Sequence, residues 1–224
     1  MGFGGILSSM SVVIASGTAI YGISAWKREF RGKRQIELAE ETLALFYEAR
    51  EAITNARSCL GFASEGTTRK PVAGETAAEK SARDAAYAIF ERLQPHEELF
   101  SKLHAMRYRF MARFGVGAGT PFDELRKVRN EILFAARQLG RLWAKDVTHL
   151  GEKEQEAHHQ RVQKYECIFW DTYDEAKDPV NPRLDKAVSE VEMICRTLIM
   201  NKVRVFPWLR KLWAEVQKWL DRKK

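Results

Sequence analysis

The stretch "MSVVIASGTAIYGISAWKREFRGKR", residues 10–34, decides what kind of all-α protein this chain encodes. It belongs to an apolar run from Phe3 to Trp26, 24 residues long, and no charged side chain occurs from Gly2 through Trp26. A helix needs roughly 20 such residues to cross the hydrocarbon core, so the run is long enough to span. Its Gly, Ser and Thr content makes insertion favourable without making it strong. Two other readings stay open. A cleaved secretion signal has Ala19, with Gly17 two residues before it, as a cleavage site, but positive charge is expected before the apolar region and here follows it. The other is a buried soluble helix.

Charge placement orients the anchor. Lys27, Arg28, Arg31, Lys33 and Arg34 crowd its carboxyl side, offset only by Glu29, so the positive-inside bias puts the N-terminus outside and the C-terminal body in the cytoplasm. Tyr21 and Trp26 are placed for a membrane interface, with the basic residues reaching outward past them. Gly4, Ser8, Ser11, Ala15, Thr18, Gly22 and Ala25 recur at alternating four and three residues. That stripe of small side chains lets two backbones approach, and predicts a homo-oligomer through the anchor. Lipid anchors are not expected: Ile6 stands where a myristoylation motif needs Ser or Thr, and no Cys lies near either end.

The chain has 224 residues, enough for one domain plus an anchor. Cys59, Cys167 and Cys195 are odd in number, far apart and without metal spacing, which predicts reduced, buried thiols. The formal charge of +7 raises nucleic acid as a partner, but the charge sits at the ends. Residues 27–34 carry +4 and residues 204–224 carry +5, whereas 35–203 carry −2. An anionic lipid surface fits that distribution better.

The body reads as helices throughout, joined at Gly and Pro. Ile36, Ala39, Leu43, Phe46, Ile53 and Leu60 predict a long amphipathic helix to about Gly61, able to continue the anchor without a break. "FASEGTTRKPVAG", Phe62 to Gly74, predicts an exposed, mobile loop. A second helix runs from about Thr76 to Phe114 and is kinked or split at Pro95. "TPFDE" predicts a third, with Thr120 as cap and Pro121 at its first position, facing the core with Phe122, Leu125, Ile132, Ala136, Leu139 and Trp143. A break at Gly151 precedes a fourth to about Lys177, "DPVNP" (178–182) is a stop, and a fifth covers Arg183 to about Val203. The first four legs are roughly 50, 55, 45 and 40 Å long at the usual rise, suited to an antiparallel bundle.

The last segment, 204–224, is a basic amphipathic helix with Trp208, Trp213 and Trp219 near its apolar face. It suits either the membrane interface or the end of the bundle core.

Several patterns resemble sites without meeting their requirements. "GFASEGTT" (61–68) has the outer glycines of a phosphate loop, but Thr67 replaces the lysine and a helix precedes it. "GVGAG" (115–119) lacks dinucleotide-turn spacing. Glu156 with His159, and Asp146 with His149, suggest di-iron ligands but want two further inward carboxylates. "MRYRFMARF" (106–114) interleaves bases and aromatics, yet Met106 and Phe110 join the core stripe and the arginines fan outward. No catalytic residue, metal or cofactor is expected. The sequence therefore predicts a membrane-anchored interaction, scaffold or sensor module with a protein partner. An oligomeric pore or membrane-perturbing effector is the second reading, and an enzyme with a nonstandard helical site the third.

Overall fold

The structure is a computed structural model. It describes the backbone of residues 3–62, 64–171 and 178–201, and within these ranges the side chains from Tyr21 onward except at 24, 25, 28, 198, 200 and 201. Every regular element among the described residues is helical: α1 (Phe3–Ala56), α2 (Ala77–Leu93), α3 (Glu97–Phe114), α4 (Thr120–Leu142), α5 (Glu152–Phe169) and α6 (Asn181–Asn201). The chain divides into two compact units, one of Met1–Glu41 with Cys195–Lys224, the other of Thr42–Ile194.

In the larger unit, α4 is the central helix, packed against α2, α3 and α5 in a bundle-like arrangement. Its apolar residues recur at helical spacing, and Phe122, Leu125, Val128, Ile132, Ala136 and Leu139 are buried. The expected cap is not made: Thr120 is the first helical residue, no side chain caps the helix, and Asp123 instead pairs with Arg107 at 2.7 Å. A missing cap costs about 1 kcal/mol, and burying a single Leu or Phe returns roughly 1.5–3 kcal/mol, so packing fixes this helix end. The complete capping box lies at α2, between Thr76 and Glu79. Gly140 of α4 lies against Ala86 of α2, and a Cβ on it would come within 3.3 Å of the Ala86 methyl.

Pro95 splits the second leg as expected, through a 3-10 turn at Gln94–His96. Other boundaries differ from the sequence expectation, each for a visible reason. Helix α1 runs without a break but ends at Ala56, short of Gly61, because Arg92 donates to the carbonyls of Ala56, Ser58 and Leu60. Helix α4 stops at Leu142; beyond it the Asp146 carboxylate accepts from the Thr148 amide at 2.9 Å, a local bond that competes with helix. Helix α5 ends at Phe169, where Arg57 donates to the carbonyls of Cys167 and Trp170 on either side of that residue. "DPVNP" starts α6 rather than only stopping what precedes it, since Asp178 accepts from the amides of Val180 and Asn181.

The segment from Phe62 to Gly74, expected to be an open loop, is held to α2. Arg69 bridges Glu75 at 2.9 Å and Asp84 at 2.8 Å. The Glu91 carboxylate accepts from the amides of Gly66 and Thr68 and from the Thr68 hydroxyl. Gly66 has φ +80° and is buried against the Asp84 carbonyl. Replacing it with Ala adds both a left-handed strain and a collision with that backbone oxygen, so a loss of more than about 1 kcal/mol is expected. Urea unfolding of the full chain in mild detergent measures it; an unchanged midpoint would detach this loop from the fold.

The cysteines are not uniformly buried: Cys59 is exposed, Cys167 half-buried and only Cys195 buried, where burial pushes its thiol up to about 11.

Candidate functional site

Two places concentrate unusual side chains. The first is a knot of charge in the larger unit. Arg57 falls four residues after Ile53, where the core stripe of α1 continues, and its side chain is wholly buried. Its Nε donates to the Ile168 carbonyl at 3.0 Å, Nη1 to Asp178 at 3.1 Å and Asn181 at 2.9 Å, and Nη2 to Trp170 at 2.7 Å, Asp178 at 3.0 Å and Cys167 at 3.2 Å. The Asp171 amide donates back to the Arg57 carbonyl at 2.8 Å. Burial pushes the Asp178 carboxyl up, but the Arg57 fork and the Val180 and Asn181 amides outweigh it and hold Asp178 below the ordinary carboxylate value. With every guanidinium N–H committed, the knot ties the ends of α1 and α5 to the start of α6 and leaves no donor for a ligand.

Glu91 plays a comparable part beneath the phosphate-loop lookalike. The amides that would cradle an anion are bonded to its own carboxylate. Burial pushes Glu91 up, and the hydrogen bonds from Thr68 and Gly66 bring it below the ordinary glutamate value. In the histidine-bearing segment, Glu156 accepts from Gln160 and Asp146 lies 3.7 Å from His149, and among the described residues no three His, Cys, Asp or Glu converge on a metal position.

The second place is on α1 in the smaller unit. Tyr21, Ile23, Trp26 and Phe30 are 66, 55, 64 and 45% exposed. Trp26 and Phe30 stack at 5.7 Å between ring centroids, and the Arg34 guanidinium lies 4.9 Å from the Phe30 centroid. Spaced by four residues, the three form a ladder along one helix face, about 12 Å from Trp26 to Arg34 at the helical rise. Lys27 and Arg31 are exposed, and Lys33 pairs weakly with Glu29 at 3.7 Å. These exposed rings on one helix make the segment a candidate contact surface.

The structure thus brings Tyr21, Trp26, Lys27, Arg31, Lys33 and Arg34 onto one exposed segment. The side chain of Arg28 lies outside the described residues, as do Trp208, Trp213 and Trp219 with the whole segment 204–224. Of the proposed self-association stripe, Gly4, Ser8, Ser11, Ala15, Thr18 and Ala25 have helical backbone but undescribed side chains, and Gly22 is exposed with nothing within 4 Å of where a Cβ would stand. Among the described residues, no helix is long and apolar enough to cross a membrane, and the side chains from Phe3 to Ile20 are not among them. Phe30 was not evident from sequence because it sits inside the basic run; its spacing of four from Trp26 is the signal that marks it. In "MRYRFMARF", Met106 and Phe110 are buried and Arg107 and Tyr108 lie on other faces, in keeping with a core stripe.

No protein-family model matches the chain, and neither does a curated protein or a solved structure.

Proposed function

We propose that this chain is a single-pass membrane protein whose helical bundle, on the cytoplasmic side, holds or senses a protein partner at an anionic lipid surface. One observation carries the reading: an uncharged run of 24 residues closes with exposed Tyr21, Ile23 and Trp26 and continues, within one unbroken helix, into a cluster of net charge +4 that holds exposed Phe30. Aromatic rings rest at headgroup level, and each basic residue beside anionic lipid contributes roughly 1 kcal/mol before salt screening. The roughly 12 Å from Trp26 to Arg34 exceeds the thickness of one headgroup layer, so the rings can sit in it while the guanidinium reaches water. Arg57, wholly buried, and the half-buried Glu91 and Arg183, the last paired with Glu124 and Glu131 of α4, are all engaged in fixing helices and loops to one another, a use of charge that suits a rigid module presented to a partner.

A reporter that fluoresces only in a reducing cytosol, fused after Lys224 of the full chain, is expected to give signal. Activity from a periplasmic or lumenal reporter at the same position, with the cytosolic one dark, would reverse the topology.

A further inference from the structure

Between α3 and the first half of α4 lies a pocket of about 440 Å³, within the range that takes small molecules. Its floor is apolar: Phe100, Leu103, Phe122 and Leu125 are all buried. Its rim carries three arginines, and their bonding is unequal. Arg107 and Arg126 share the Asp123 carboxylate at 2.7 and 3.3 Å. Arg129 makes no ion pair among the described residues; its guanidinium lies over the Phe100 ring, 4.5 Å from the centroid, and its Nε is buried without a hydrogen-bond partner. The Nε of Arg107 is likewise buried and unpartnered. Burial pushes the Arg129 guanidinium down, opposed only by the charge of Glu97 at the pocket edge.

Arg129 is half-buried; a cation partly removed from water without an ion-pair partner is costly, and a buried donor left unmade, here its Nε, adds to that cost. Both costs fall if an anion enters beside Arg129. Phe100 would then offer one ring face to the guanidinium while the remaining floor covers an apolar body. A flat guanidinium fork matches a carboxylate in two parallel hydrogen bonds, which a point-like lysine ammonium does not.

We propose that this pocket binds a small apolar carboxylate, with Arg129 as its charge partner and the Phe100, Leu103, Phe122 and Leu125 floor receiving its body. The pocket lies wholly in the larger unit, so the proposal does not rest on the membrane reading.

The test titrates 1-naphthoate into the full chain in phosphatidylcholine nanodiscs by calorimetry, with 1-naphthamide as the uncharged control. Naphthoate is expected to bind at least tenfold tighter than naphthamide. Arg129→Gln is expected to weaken naphthoate at least tenfold, while its unfolding midpoint without probe stays at or above that of the unaltered chain, because a half-buried charge that makes no ion pair among the described residues has been removed. Ser101, exposed at the rim, gives a second variant: Ser101→Trp should occlude the pocket and abolish binding with no loss of midpoint. Equal affinity for naphthoate and naphthamide, or for the unaltered chain and both variants, would overturn the proposal. Loss of naphthoate binding when phosphatidylglycerol replaces part of the lipid would assign the site to a lipid headgroup and overturn the small-molecule reading.

Discussion

Arg57→Ala is expected to destabilise the bundle by about 3–5 kcal/mol, the cost of breaking a buried ion pair and leaving its partner charge unmatched. Asp178 would remain buried without its fork, and the carbonyls of Cys167, Ile168 and Trp170 would lose their donors. Each orphaned buried acceptor adds about 1–3 kcal/mol. Since whole domains have only about 5–15 kcal/mol to lose, much of the altered chain should fail to fold at all. The double change Arg57→Met with Asp178→Leu removes both charges, so it should recover part of the loss; the three carbonyls keep it from recovering everything. Acid probes the same knot. Asp178 is held below its unfolded value, so its contribution is present above the unfolded pKa of about 3.9 and is lost as pH falls through the lower folded value. Asp178→Asn should flatten that acid limb. Urea unfolding followed by helical circular dichroism across pH measures both effects; an Arg57→Ala midpoint equal to that of the unaltered chain would show that the knot is not what ties α1, α5 and α6 together.

The knot also shows what a sequence conceals. The stripe of α4, from Phe122 to Leu139, repeats at helical spacing and could be read directly, as could the split at Pro95, because both are local rules of backbone geometry and burial. Arg57 could not be read, although its place four residues after Ile53 puts an arginine where a core residue belongs. Its partner Asp178 lies 121 residues away, and no spacing pattern links them. The loop after α1 misled for a similar reason: its glycines and threonines suggest mobility, whereas Glu91 and Asp84, which hold it, belong to the next helix. At the N-terminus, Tyr21 and Trp26 could be singled out from the sequence and both are exposed, whereas the equally exposed Phe30 was hidden by the charges around it.

The second large effect concerns the apolar run. Val13→Arg together with Ile14→Asp should release the chain from the bilayer, because each charge at a helix centre costs roughly 2.5–3.5 kcal/mol and a run rich in Gly, Ser and Thr has little surplus to offset it. Trp26→Ser with Phe30→Ser should act more mildly, removing ring contact at the headgroups while leaving the span intact, and Arg57 and Phe122 would be untouched by either pair. The bundle should therefore stay folded in the released chain, with its helical signal unchanged. The central claim, that this helix anchors the bundle in a membrane, is tested most directly by alkaline carbonate extraction of membranes carrying the unaltered full chain, followed by flotation. The chain should float with the lipid, resistant to both high pH and salt; its recovery in the extracted aqueous fraction would contradict the anchor.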